Sequence, residues 1–405
     1  VEPFVKRVGL ERAAWLSAAT VVLGLASLAT AFVSNAAQLI AVRAAMGLAA
    51  AMTTPGSAAL AFRLFEEDRL RVRAITLIST VGLVGLAIGP TLGGLVLAVA
   101  PWQVLLMANA PIAAFALIGL RSGIAADRAA DLHQVPVDFV GAALATATVV
   151  LGLMAPTLFV NKGAAGWLAW ADAVLAMSAA ILFVIRERGA AHPLLDLGLL
   201  AHPLVTGGLA FKAAASLAVA GLGYMVTLQL QLDWGWKPAH AAIGMLPQVL
   251  VLVAGGAFVE PFVKRVGLER AAWLSAATVV LGLAVFALCG RLGYAWVAAA
   301  LVLVAAGMRV VGVVAATNVL RGLPKSRTTI GAALADTATE LSSGIGIAVT
   351  GTILASMFTG EIAAGHWSAR QTAEFREAVR AAGLCLTAAA AALVAWGITR
   401  SRRAA

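Results

Sequence analysis

Charged residues and cysteines are scarce in this 405-residue sequence. Only 12% of the residues are charged and 61% are hydrophobic, which leaves too little polar surface to cover a water-soluble globule of this size. The two cysteines, Cys289 and Cys385, lie in apolar stretches without the spacing of metal ligands. Neither a disulfide framework nor a zinc site therefore has support.

Motifs for hydrolysis are also missing. The sequence contains no GxxxxGK[ST] phosphate-binding loop, so ATP-driven export by this chain is not expected. It contains no HExxH pair and no GxSxG elbow, which leaves intramembrane hydrolysis without a metal or a nucleophile. We expect a protein that is not an enzyme and that uses no metal and no cofactor.

Long apolar stretches occupy most of the chain and indicate an all-α polytopic membrane protein. A helix needs roughly 20 apolar residues to cross a hydrocarbon core of about 30 Å. Twelve such segments are predicted, at residues 13–33, 36–62, 74–98, 102–120, 138–158, 165–185, 203–230, 239–258, 271–290, 293–320, 328–358 and 381–399.

The Lys and Arg residues behind the net charge of +10 are concentrated in alternate loops between the apolar segments. This distribution indicates a membrane topology rather than binding to nucleic acid. If the first loop is cytoplasmic, alternate loops carry 20 Lys and Arg residues, and the opposite loops carry six: Lys162, Lys237, Arg291, Arg370, Arg376 and Arg380. This bias predicts a multi-pass protein of the inner or plasma membrane with both termini in the cytoplasm. We expect a monomer whose partner is the lipid bilayer.

One predicted helix is unusually rich in glycine. Six of the thirteen residues 82–94 are Gly or Pro, although an interior glycine costs a helix about 1 kcal/mol and a proline about 3 kcal/mol. In a bilayer, small residues compensate by letting helices touch, and neighbouring helices satisfy the carbonyl that a proline frees. The run therefore predicts a bent, tightly packed membrane helix.

Residues 1–26 recur without a single change at residues 259–284. Because ancient repeats lose identity, such a copy indicates recent recombination or an error of assembly. We interpret the chain as lacking two helices before residue 1. The predicted organisation is an incomplete four-helix bundle at 1–121, loops with a two-helix insert at 122–200, and a six-helix bundle at 201–405.

Four motifs resemble those of the major facilitator superfamily, specifically its fourteen-helix drug:proton antiporter branch. The first matches the antiporter signature GxxxGPxxGG through Gly85, Gly89, Pro90, Gly93 and Gly94. The others are Arg43 with Gly47, the pair of stretches from Gln229 to Gln248 and from Asp336 to Gly346, and a cytoplasmic loop motif represented by Arg7 and Gly9 and by Arg265 and Gly267. In the loop motif Lys6 replaces the usual aspartate, which departs from the pattern of the family.

The resemblance implies a two-bundle fold and a function. It implies proton-coupled secondary active efflux of hydrophobic or cationic drugs by alternating access, with protons and a small substrate as ligands. Two alternatives stay open: an exporter of an endogenous metabolite with the same fold, and a truncated membrane fragment that does not transport.

Asp336 and Glu340 form the best candidate site. Their spacing of four residues puts them on one face of the eleventh predicted helix. Burial would raise their pKa values toward neutrality, and the ionised form would attract a lipophilic cation. The alternatives are that they line a solvated vestibule or pair with Arg327.

Three cations inside predicted helices are further candidates for the proton and substrate pathway. Arg43 lies about 10 Å inside its helix and needs a carboxylate or carbonyl partner, for proton relay or for structure. Arg309 is a candidate counter-ion of Asp336 or Glu340, and Lys212 either joins the pathway or extends to the interface. Gln229 and Gln231 are weaker candidates for lining a cavity.

Overall fold

The fold is all-helical in the part of the chain that the computed structural model describes, namely residues 12–64, 67–123, 138–162, 166–190, 198, 202–323, 328–360, 362 and 367–402. The helices within these ranges are α1 (Arg12–Ala29), α2 (Ala36–Leu64), α3 (Asp68–Val99), α4 (Trp102–Met107), α5 (Asn109–Gly123), α6 (Phe139–Lys162), α7 (Trp167–Gly189), α8 (Pro203–Leu228), α9 (Pro238–Gly244), α10 (Leu246–Ala254), α11 (Gly256–Val266), α12 (Leu268–Cys289), α13 (Tyr294–Arg321), α14 (Thr328–Met357) and α15 (Ala369–Arg402).

The predicted membrane spans all fall on helices. Nine helices in the described ranges are long and apolar enough to cross a membrane, or ten if α10 and α11, which meet at 62°, form one broken span. The other two predicted spans correspond to α3 and to a shorter apolar helix at Leu16–Phe32. The eighth predicted span, at 239–258, is divided among α9, α10 and α11 rather than continuous.

The chain divides into two compact units, Val1–Val137 and Asp138–Ala405. In the first unit α1 packs against α2 and α5, and α2 packs against α3. In the second unit α8 is central and contacts α12, α13, α14 and α15. The predicted two-helix insert, α6 and α7, lies in the second unit, where α6 packs against α14.

The two copies of the repeated segment occupy corresponding positions in the two units, as far as the first copy is described. The first copy provides α1, which packs against the next helix and against the last helix of its unit, α5. The second copy provides most of α12, which likewise packs against the next helix, α13, and the last, α15. One sequence therefore serves the same position in two bundles.

Close backbone contact builds the bundle around α8. A Cβ atom at Gly346 of α14 would lie 2.6 Å from the carbonyl oxygen of Leu217 in α8, and one at Gly208 would lie 2.8 Å from the carbonyl oxygen of Ala315 in α13. Neither glycine leaves room for a side chain. Such contacts are the usual means by which membrane helices associate, since lipid offers no hydrophobic drive between them.

The glycine run of α3 differs from its prediction. The helix passes through Pro90 without a break, and a Cβ atom on any of the first three glycines of the run would meet no described atom within 4 Å: Gly82, Gly85 and Gly89. The close contact predicted there is not seen for these three among the described residues of the unit. The end of the run is packed, because Gly93 is buried and faces Leu105 at 3.5 Å.

Substituting Gly346 with alanine should destabilise the second unit. The added methyl group would overlap the Leu217 carbonyl group, and overpacking of this kind typically costs about 1–3 kcal/mol. The measurement is the thermal unfolding temperature of the purified protein in detergent. The matched control is Gly344→Ala on the same helix, where the new Cβ would make an ordinary 3.6 Å contact with Leu153; an equal loss in both variants would contradict the interpretation.

Candidate functional site

The central observation is an ion pair between α8 and α14. Lys212 Nζ lies 3.5 Å from Asp336 Oδ1. The lysine is the sheltered partner, with a side-chain exposure of 16%, whereas the aspartate side chain is 69% exposed. The carboxylate therefore keeps an open face while it neutralises a cation that is held within the bundle.

The ion pairs at helix ends have the opposite arrangement. Asp138 and Asp233 have side-chain exposures of only 3% and 1%, while their partners Arg186 and Arg376 are about half exposed. Asp138 accepts hydrogen bonds from Arg186 Nε at 2.9 Å and from the amide of Gly141 at 3.0 Å. These bonds lower the pKa of the Asp138 carboxyl group. Such buried carboxylates are already occupied by their partners.

The predicted burial of the two carboxylates of α14 is wrong. Both Asp336 and Glu340 are exposed in the second unit. Asp336 nevertheless lies eight residues beyond Thr328, at the start of α14, which is about 12 Å along the helix axis. The two side chains share one face because they are four residues apart, so this face carries two accessible acidic groups within a membrane-spanning helix.

Arg309 is placed away from the carboxylates for which it was predicted to be a counter-ion. Its half-buried side chain on α13 lies against Gly255 and Gly256, at the break between α10 and α11. A Cβ atom on Gly256 would overlap the guanidinium group, and Arg309 Nε is buried without a hydrogen-bond partner. In the described residues it makes no ion pair within 4 Å. The cation that pairs with Asp336 is Lys212.

Arg43 and the two glutamines have different surroundings. Arg43 on α2 has an exposed side chain and forms no described ion pair within 4 Å, so the predicted partner is not seen. Gln229 is buried in a π-helical turn, Gln229–Asp233, where its amide Nε2 donates to the carbonyl oxygen of Gly290 at 3.0 Å. It therefore links α8 to the end of α12. Gln231 in the same turn is half-buried.

The second cytoplasmic loop motif ends a helix. Gly267 follows α11 with φ +83° and ψ 154°, a conformation that residues with a Cβ atom rarely adopt. Arg265 is exposed in the last turn of α11, where a cation is favoured by the helix dipole. The motif residues Arg7 and Gly9 lie outside the described residues.

Sequence reasoning found both members of the α8–α14 ion pair but did not pair them. The available signal was that Lys212 and Asp336 are opposite charges in two predicted membrane helices. Their pairing depends on how the two helices rotate against each other, which hydropathy does not report. The buried pairs formed by Asp138 and Asp233 were not predicted at all.

These features define a multi-pass helical membrane protein that carries ionisable groups inside its described membrane helices. Solved transporters share this fold. One is a POT family transporter in complex with a thioalcohol-conjugated peptide, with a TM-score of 0.63, 11% identity, and coverage of 98% of this chain and 84% of that chain. The peptide transporter POT in complex with sulfate gives 0.62 at 15% identity, with coverage of 97% and 82%.

The family follows from the sequence comparison. Residues 2–347 match the Major Facilitator Superfamily. The chain therefore belongs to this superfamily, which confirms the predicted family and fold class. The family consists of transporters, and the apolar helices of the chain make it a multi-pass membrane protein.

Several curated relatives are named for drug resistance or export. The methyl viologen resistance protein SmvA of Salmonella typhimurium is 28% identical over 362 residues, covering 88% of this chain and 71% of the relative. The multidrug efflux pump LfrA of Mycolicibacterium smegmatis is 26% identical over 333 residues, covering 82% and 66%. The cephamycin export protein CmcT of Amycolatopsis lactamdurans is 29% identical over 368 residues, covering 85% and 72%. These relatives agree with the predicted drug:proton antiporter branch.

Replacing Arg309 with methionine should maintain or raise stability. The change removes the buried Nε donor that has no partner, and an unsatisfied buried donor costs about 1–3 kcal/mol. Methionine keeps a flexible chain of similar length over Gly256. The measurement is thermal unfolding in detergent, with Arg321→Met, an exposed position on the same helix, as the control. A marked decrease in unfolding temperature for Arg309→Met alone would show that the guanidinium group stabilises the fold.

Proposed function

We propose that the protein is a proton-coupled exporter of hydrophobic or cationic compounds, working by alternating access in the cell membrane. Its membership of the superfamily and the names of its relatives support export. The observation that carries the mechanism is the reversed Lys212–Asp336 pair, in which the carboxylate and not the cation is accessible.

An accessible carboxylate can exchange its partners. Ionised Asp336 attracts a cationic substrate as well as Lys212, and protonation removes its charge and releases either one. One carboxylate cannot hold a proton and attract a cation at full strength simultaneously. Binding of the proton and binding of the substrate therefore oppose each other, which is the linkage that antiport requires.

Lys212 prevents the carboxylate from trapping its substrate. Its ammonium group stands 3.5 Å from Asp336 without a short hydrogen bond, and a pair with one exposed partner is worth about 0–1 kcal/mol. A substrate cation can displace such a weak competitor. When the substrate leaves, Lys212 neutralises the carboxylate again, and Glu340 offers a second carboxylate one turn further along α14.

The remaining parts of the proposal concern orientation and the other pathway residues. The 20 to six division of loop cations supports cytoplasmic termini. Arg43 and Arg309 are proposed as secondary pathway residues, since neither has a carboxylate partner among the described residues. Gln231 is proposed as a weaker candidate for lining the cavity. We propose that the protein works as a monomer, with protons, a small substrate and lipid as its only partners.

A second candidate function is export of a metabolite that the host cell makes. Its support is the cephamycin export protein CmcT, to which this chain is 29% identical over 368 residues. The open Asp336 carboxylate would bind the cationic group of such a metabolite. The two candidates differ in whether the preferred substrate comes from outside the cell or is made by it.

Neutralising either carboxylate of α14 should strongly slow coupled transport. In proteoliposomes with an imposed proton gradient, Asp336→Asn and Glu340→Gln should each lower the rate of ethidium efflux by about tenfold or more, the effect of losing one charged interaction. The physical reason is that neither amide can bind and release a proton or attract a cation. Dye flux is followed by fluorescence.

The matched control is Glu260→Gln on α11. Glu260 is also an exposed carboxylate paired with a lysine, since its Oε1 lies 2.6 Å from Lys264 Nζ, but it belongs to the cytoplasmic end of that helix. Efflux by this variant should equal that of the wild type. Unchanged efflux in both α14 variants would refute the proposed site. Absence of flux in the wild type, with dye still bound, would favour the non-transporting alternative.

A further inference from the structure

A cluster of arginines lies at one end of the second unit. A cavity of about 20 Å³ has three arginines and one aspartate among its nine lining residues, namely Arg291, Arg376, Arg380 and Asp233. The residues come from three separate elements: the turn after α12, the first turns of α15 and the π-helical end of α8.

The positive charge of this cluster is not neutralised within it. Both oxygens of Asp233 accept from Arg376 Nε, at 2.9 and 3.1 Å. Arg380 is 3.7 Å from Glu377, in a pair with both side chains substantially exposed, which is worth little in water. Arg291 is exposed and has no carboxylate within 4 Å in the described residues. Two arginines are therefore available to an anion.

The cluster is built with fixed supports. The buried carboxylate of Asp233 fixes Arg376 through the two contacts to Nε and leaves the terminal nitrogens of that guanidinium free for another acceptor. Gln229 donates to the carbonyl oxygen of Gly290 at 3.0 Å, which anchors the turn that carries Arg291. Preorganised donors bind an anion more tightly than mobile surface side chains do.

The position of the cluster is unusual for its charge. Under the predicted topology these three arginines are half of the six cations in the outer loops, where positive residues are otherwise avoided. Aromatic rings flank the cluster, with Trp234 5.9 Å from Trp236 and Trp367 4.8 Å from Phe375. Tryptophan concentrates at the level of the lipid headgroups.

Apolar surface lies beside the arginines. Leu288 and Leu292 are 52% and 66% exposed on either side of the turn that carries Arg291. A cationic surface next to an apolar surface matches a phospholipid, in which the phosphate lies next to the acyl chains. A free anion would use only the first of these surfaces.

We propose that the cluster binds the phosphate of an anionic phospholipid in the outer leaflet. Arg291 and Arg380 contact the phosphate, and Arg376, held by Asp233, completes the site. The cavity admits a group about the size of a water molecule, so it takes one phosphate oxygen while the rest of the headgroup stays outside. Arginine suits this role because its planar fork binds two phosphate oxygens at once.

The test measures lipid binding to the full-length chain. The purified protein is titrated with phosphatidylglycerol or phosphatidylcholine in detergent, and the bound lipids are counted by native mass spectrometry. The double variant Arg291→Gln with Arg380→Gln should bind phosphatidylglycerol about tenfold more weakly or worse, the effect of losing charged hydrogen bonds. Lys237→Gln removes an exposed outer cation away from the cavity and should bind like the wild type.

Several outcomes separate the possibilities. Equal phosphatidylglycerol binding by the wild type and the double variant would overturn the proposal, as would equal binding of phosphatidylcholine and phosphatidylglycerol by the wild type. Saturation by inorganic phosphate without any lipid preference would replace the lipid by a free anion. If the double variant unfolds, Arg291→Lys decides: it keeps the charge but loses the fork, and unchanged affinity there contradicts the proposed contact.

Discussion

Contact between backbones is the constraint on which the second unit depends. Glycines lie where α8 closely approaches α13 and α14, and a Cβ atom at Gly208 or Gly346 would collide with a carbonyl group of the facing helix. In lipid there is no hydrophobic gain from hiding leucine, so shape alone brings the helices together. Gly346 on α14 faces Leu217 on α8, so the crossing of these two helices also places Asp336 of α14 beside Lys212 of α8.

The helices were predictable because lipid allows few alternatives. Every amide in the hydrocarbon region must bond within its own helix, so each apolar stretch of sufficient length becomes one. The breaks between helices were harder to predict from the sequence. Gly255 and Gly256 read as ordinary small residues, and only the structure shows that they separate α10 from α11 and lie under Arg309. The run ending at Gly93 has the composition of a packed helix, yet packing needs a partner surface, which composition does not specify.

The candidate site was predictable in its members but not in its pairing. Spacing alone places Asp336 and Glu340 on one face of α14, and the sequence shows three cations within helices. Which cation faces which carboxylate depends on helix rotation. Helices that are apolar on every side provide no amphipathic stripe from which that rotation can be read. Arg309 was therefore predicted as a counter-ion of Asp336 or Glu340, whereas Lys212 pairs with Asp336 in the structure.

Three ion pairs among the described residues differ in which partner is sheltered. In the pairs of Asp138 and Asp233 the carboxylate is buried and the arginine reaches water, so the acid has no access to a proton or a ligand without local unfolding. Such pairs join helix ends. In the pair of Lys212 and Asp336 the cation is sheltered and the acid is open, at a longer distance of 3.5 Å. A pair that served only stability would contribute more with its carboxylate buried, as in the pairs of Asp138 and Asp233, since exposed pairs contribute little. The open form leaves the Asp336 carboxylate exposed, and the proposed coupling of a proton and a cation at one site rests on that exposure.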